Sequence, residues 1–168
     1  MLGRIAALWG LGGVVGILGF AIYRLANKAM GAFPTDTWAW YHWVVAVVAV
    51  VFMAHSEGYK GFQKSFSPRT AARVRYLVTD NSWLRRLLAP VFCMGYFHAT
   101  KRTRIVAFVL PVAIFLVVML MELIPNPWRG IIDLGVVVGL SWGVISLILF
   151  SVKALMAKSF PHSPETPV

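Results

Sequence analysis

The chain has 168 residues, of which 59% are apolar and only 13% charged, with sixteen Lys and Arg against six Asp and Glu. Water-soluble domains carry nearer ~25% charged residues, and a mean hydropathy of +0.74 excludes that class. A net charge of +10 would point to nucleic acid in a soluble protein. In a membrane chain the same excess collects in cytoplasmic loops, so no nucleic-acid partner is expected. The one cysteine, Cys93, excludes an internal disulfide framework and a cysteine-based metal cluster.

The apolar residues form four blocks, each near the ~20 residues a helix needs to cross a hydrocarbon core. This predicts an all-α, polytopic integral membrane protein: one four-helix domain over 1–158 and a disordered tail over 159–168, rich in proline. The first span, 5–23, follows a short basic start. It is long for a cleaved signal, and Tyr23-Arg24 is a poor cleavage region, so it is read as a retained helix. Gly12 and Gly16 form a GxxxG pair there, with Gly19 extending the face. In the connection 24–36, Pro34 marks a turn and Thr35 or Asp36 is placed to cap the next helix. The second span, 37–56, opens on Trp38, Trp40, Tyr41 and Trp43, a composition selected at the membrane–water interface.

Between His55 and Arg104 lie ten of the sixteen cations and only two acids, Glu57 and Asp80. Ser67-Pro68 opens a helix over about 68–79, with Ala71, Val74 and Val78 on one side and Arg69 and Arg73 as a basic row elsewhere. Thr79 to Ser82 breaks it, and a second piece over 83–97 places Trp83, Leu84, Leu87, Leu88 and Val91 on one face. Both pieces are read as interfacial or partly re-entrant, making an amphipathic basic cytoplasmic connection between the second and third spans. The third span, 105–124, contains Pro111; the fourth, 131–155, carries Gly135, Gly139 and Gly143 as a tandem GxxxG packing face.

Counting cations orients the chain. With the N-terminus inside, Arg4, the ten in the long connection, Lys153 and Lys158 give thirteen inside, against Arg24, Lys28 and Arg129 outside. Both termini are therefore expected to be cytoplasmic, most naturally in a bacterial inner membrane.

Three groups of residues carry candidate chemistry. His42 and His55 are thirteen residues apart, so at ~100° per residue they do not share a helix face. His98 is expected at the depth of His55, and two such imidazoles would ligate a b-type haem. No metal site and no other cofactor is expected. Glu122 and Asp133 flank Arg129 near the outer ends of the last two spans, where pairing is the cheapest arrangement. The midplane segments are read as apolar, which argues against an ion-coupled transporter built from one subunit. The run from Glu57 to Phe66 interleaves aromatics and cations: Glu57, Tyr59, Lys60, Phe62 and Lys64, with Arg69 and Arg73 beyond. It suits a surface for anionic lipid headgroups, a phosphorylated ligand or a membrane protein partner.

No GxSxG, P-loop, HExxH or CxxC sequence occurs, so no catalytic residue is assigned and a non-enzymatic role is expected. The leading expectation is an accessory, assembly or scaffold component. The alternatives are a haem-binding electron-transfer subunit using His55 and His98, and an oligomeric transporter or channel subunit.

Overall fold

The computed structural model describes residues 2–31, 38–157 and 159–166. The expected turn at Pro34, the cap at Thr35 or Asp36, and Lys158 lie outside the described residues. Every regular element among the described residues is helical. They are α1 (Leu2–Gly31), α2 (Trp40–Met53), a π-helical segment (Ala54–Phe66), α3 (Ser67–Thr79), α4 (Trp83–Leu87), α5 (Ala89–Met94), α6 (Lys101–Met121) and α7 (Trp128–Met156). Four helices are long and apolar enough to cross a membrane: Leu2–Gly31, Trp40–Thr79, Lys101–Met121 and Trp128–Met156.

The second of these differs from expectation. α2, the π-helical segment and α3 form one unbroken 40-residue helix, so α3 is no separate surface helix. It packs against α1 and α7, and Ala71, Val74 and Leu77 are buried there. Val74 and Leu77 join Ala7, Val14, Phe92, Cys93 and Leu147 in one cluster. Small side chains permit this approach. A methyl group on Gly3 of α1 would stand 2.2 Å from the Val78 carbonyl oxygen.

α4 and α5 also lean on α1. The Trp9 indole N–H donates to the Leu87 carbonyl at 3.2 Å. A Cβ at Gly10 would meet the Cys93 Sγ at 2.9 Å, and one at Gly13 would meet Pro90 Cγ at 2.5 Å. The close-packing face of α1 is therefore Gly3, Gly10 and Gly13. Gly12, Gly16 and Gly19 have nothing within 4 Å, so that GxxxG does not serve packing inside the chain. The opposite holds in α7. There Gly135 meets Met53 and Ala49, Gly139 meets Met53 and Glu57, and Gly143 meets Phe62, all at 3.2 Å or less.

α6 stands apart from the other helices. Along its length only Thr103 is buried, and its apolar residues from Ile105 to Leu120 are open. It is tied at its two ends, at Thr103 near its start and at Glu122 just past its end.

Candidate functional site

The π-helical segment explains how polar residues run alongside the glycine face of α7. The residues facing α7 are Met53 at the end of α2, Gly58 and Phe62 within the segment, and Ser67 at the start of α3. Met53 lies against Gly135, Gly58 against Trp142, Phe62 against Gly143, and Ser67 shares a 2.8 Å hydrogen bond with Ser146. The spacings are five, four and five residues. An α-helix would carry such a series round its axis, whereas i→i+5 hydrogen bonding widens the turn and keeps it on one side. At the junction the Ser56 hydroxyl donates to the Phe52 carbonyl at 2.8 Å, a back-bond that bends helices. The Trp142 indole then donates to Gln63 Oε1 at 2.8 Å.

The outward side of the same segment is polar. His55, Glu57, Lys60 and Lys64 are all exposed. His55 stacks on Tyr59 at 5.7 Å, and Lys64 Nζ sits 4.6 Å from the Tyr59 ring centroid. Glu57 lies against Gly139, eleven residues past Trp128 and near the middle of α7. The expected surface residues thus divide. Lys60 and Lys64 are exposed with Tyr59 half-buried near them; Glu57, also exposed, lies at the seam with α7 against Gly139, and Phe62 turns towards Gly143. Arg69 is half-buried a turn further on.

Arg73 is not on a surface at all: it is 0% exposed. Its Nη1 donates to the Phe92 carbonyl at 2.8 Å, and its Nη2 to the carbonyls of His98 at 3.2 Å and Glu165 at 3.4 Å. The guanidinium also lies 4.9 Å from the Phe92 ring. Its neighbours Ala72 and Val74 and the flanking Thr70 and Leu77 are buried too, so the face that carries Arg73 is an interior one. Other cations of the basic stretch do structural jobs. Arg75 donates to the Ala154 and Ala157 carbonyls at the end of α7, where a helix leaves carbonyls without partners. Arg85 and Arg86 bind the Asp80–Asn81 turn.

His42, His55 and His98 fall in three separate places. His42 is buried, and its Nδ1 accepts the Ala39 N–H at 3.0 Å, closing the start of α2. Its ring sits among Tyr41 and Trp128. His55 and His98 are not brought together. His98 lies beside Arg73, which is eighteen residues past His55 on the same continuous helix, roughly 25 Å along the axis at about 1.5 Å per residue. Among the described residues no three His, Cys, Asp or Glu side chains gather as metal ligands would.

Two ionic clusters remain. At one end of the molecule Glu122 accepts from Lys28 of α1 and from Arg129 of α7, both at 3.2 Å, and Asp133 stands 3.9 Å from Arg129. At the other end the tail turns back on the helices. The Glu165 carbonyl accepts the Thr100 N–H at 3.2 Å, its carboxylate accepts the Thr103 hydroxyl, and Arg69 stands 3.9 Å away. The sequence holds no local signal for this second cluster, because its partners are more than sixty residues apart. The burial of Arg73 had a faint one, the small residues Ser67, Thr70, Ala71 and Ala72 around it. No protein-family model matches this chain, and neither a curated protein nor a solved structure matches it.

Proposed function

We propose that the protein is a non-enzymatic component of a membrane complex, an accessory, assembly or scaffold subunit, and that the outward side of the π-helical segment meets its partner inside the bilayer. One observation carries this reading: exposed His55, Glu57, Lys60 and Lys64 run alongside an apolar helix. With Trp128 at the interface, Gly139 and hence Glu57 lie about 16 Å in at 1.5 Å per residue, half-way through a ~30 Å core. A charged side chain at the centre of a spanning helix costs at least ~2.5–3.5 kcal/mol. Lys60 and Lys64 reduce that cost by reaching towards the nearer interface, but the short Glu57 side chain lacks the reach. A protein surface offering donors to Glu57 and acceptors to the lysines removes it. With Lys60 and Lys64 in the bilayer, the remaining cations, eleven against three, support an inner-membrane protein with both termini in the cytoplasm, its basic end against anionic lipid.

The same strip favours one other reading, in which copies of the chain surround an aqueous path and Glu57 faces water, as in an oligomeric channel or transporter subunit. A photo-crosslinking residue placed at Lys60, with one at Ile114 in the middle of α6 as the lipid-facing comparison, tests both in native membranes. The complex reading expects a discrete adduct with another polypeptide at position 60 and lipid adducts at 114. A dimer of this chain at position 60, together with water access to a cysteine there, favours the oligomeric path. Lipid adducts alone at position 60 refute both.

A further inference from the structure

We infer that the pocket holding Glu165 is an anion site that the chain fills with its own carboxylate, and that a phosphate group competes for it and frees the tail. The pocket is built rather than superficial. Arg73 is 0% exposed and Thr103 3% exposed, and both bind Glu165, through the carbonyl and the carboxylate respectively. Arg73 keeps a buried Nε–H without a partner, so its guanidinium is not saturated by the tail. Arg69 stands 3.9 Å from the carboxylate, an ion pair too long for a hydrogen bond. Thr100 caps the start of α6, its hydroxyl accepting the Thr103 N–H, and the amides of that first turn favour an anion. Lys101, Arg102 and Arg104 follow in sequence, and Glu165 is the one carboxylate paired with a cation there among the described residues.

The occupant is held against its own backbone preference. Only two non-glycine residues among those described have positive φ, His98 at 48° and Glu165 at 51°, and Arg73 binds the carbonyls of both. A left-handed backbone is disfavoured for a residue with a Cβ, a strain that the docked tail alone must bear at Glu165. A phosphate carries more acceptor oxygens than a carboxylate and matches the guanidinium fork. It would bind without bending a peptide. The pocket lies at the start of α6 and level with α3, at the end of the molecule where cations gather, so the phosphate belongs either to a lipid headgroup or to a free anion.

The test uses the full chain with Thr166→Cys carrying a spin label, in nanodiscs; Cys93 is buried and stays unlabelled. In phosphatidylcholine discs the label is expected to be immobilised, and Glu165→Gln to mobilise it. Phosphatidic acid in the discs, or inorganic phosphate added to phosphatidylcholine discs, is expected to raise the free-to-docked ratio about tenfold, within the usual range for coupled sites. A response to the lipid alone assigns a headgroup, and a response to inorganic phosphate assigns a free anion. Thr103→Val should mobilise the label and abolish further response. The inference is overturned if neither phosphate source mobilises the tail, if chloride at equal ionic strength does so equally, or if the label is already mobile in phosphatidylcholine.

Discussion

Replacing Arg73 by Met should be among the most damaging single changes in the chain. Met fills much of the same volume but removes the charged donor that the carbonyls of Phe92, His98 and Glu165 share. A hydrogen bond to a charged group contributes about 1.5–3 kcal/mol, and the 2.8 Å bond to Phe92 is the shortest of the three. Against that loss stands the relief of no longer burying a guanidinium. Leaving a buried acceptor unsatisfied costs about 1–3 kcal/mol, and the His98 carbonyl is left so. The Phe92 and Glu165 carbonyls lose a charged donor but keep the Gly95 and Thr100 N–H groups, which places Arg73→Met near the upper end of that range. Arg69→Met, one turn earlier, removes a half-buried side chain whose ion pair spans 3.9 Å, and should cost under about 1 kcal/mol. Arg73→Lys should fall between, since an ammonium lacks the planar fork that reaches several carbonyls at once. Unfolding in mixed micelles, followed by tryptophan fluorescence as the denaturing detergent fraction rises, ranks the three. Deleting residues 162–168 from the full chain should leave Arg73 bound to Phe92 and His98, its cost being that of the bonds Glu165 makes to Arg73, Thr100 and Thr103. If Arg73→Met is no worse than Arg69→Met, desolvation cancels the hydrogen bonds and Arg73 is not what holds α3 against α5.

Gly139→Leu should destabilise the chain by about 1–3 kcal/mol through overpacking, since even a Cβ there meets Glu57 and the Met53 carbonyl at 3.0–3.1 Å. Gly16→Leu points into open space and should leave the same unfolding midpoint within about 0.5 kcal/mol; the reverse ranking would mean that α7 turns its glycines outward. Burial pushes the Cys93 thiol up to about 12, so a maleimide should label it only after denaturation, and rapid labelling in mild detergent would contradict the packing on Gly10. The Lys28 and Arg129 hydrogen bonds hold Glu122 below its ordinary value of 4.5. The clasp is therefore at full strength above 4.5 and is lost as pH falls through the lower, folded value. Spin labels at Asn27 and Leu123 should separate in that acid window, and Glu122→Gln should separate them at every pH.

Much of this architecture was legible because hydropathy and length constrain membrane helices tightly. The four apolar helices appear where the blocks predict, and Gly135, Gly139 and Gly143 are the face on which α7 packs. Polar residues beginning at Ser56 predict an end to the second helix there. It continues to Thr79 because Gly58, Phe62 and Ser67 recur at four- and five-residue intervals, a period that a search at 3.6 does not detect. Spacing also failed to choose between glycine faces in α1, since Gly10 and Gly13 pack while Gly12 and Gly16 do not. Arg69 and Arg73 looked alike as members of one basic row. Burial separates them, and burial depends on α5 and the tail, which no local pattern reports. Glu165 lies in the proline-rich tail, where no local pattern marks it as the residue that binds Thr100 and Thr103.

The placement of α6 connects these features. Its apolar length makes little contact with the other helices, so the hydrophobic packing that fixes α1, α3 and α7 in one core does little to hold it. In lipid such an omission costs little, because hydrocarbon solvates the helix as well as a neighbour would. Position must then come from polar groups near its ends, and both ends have them. Glu122 ties one end to Lys28 and Arg129, while Thr103 and Thr100 tie the other to Glu165. A clasp made of a few hydrogen bonds opens more readily than a packed interface. α6 is therefore the element whose position each ionic cluster controls, and the tail at Glu165 reaches it from the far end of the sequence. A ligand that displaces Glu165 would act on α6 first and leave the helical core around Arg73, Phe92 and Leu147 in place.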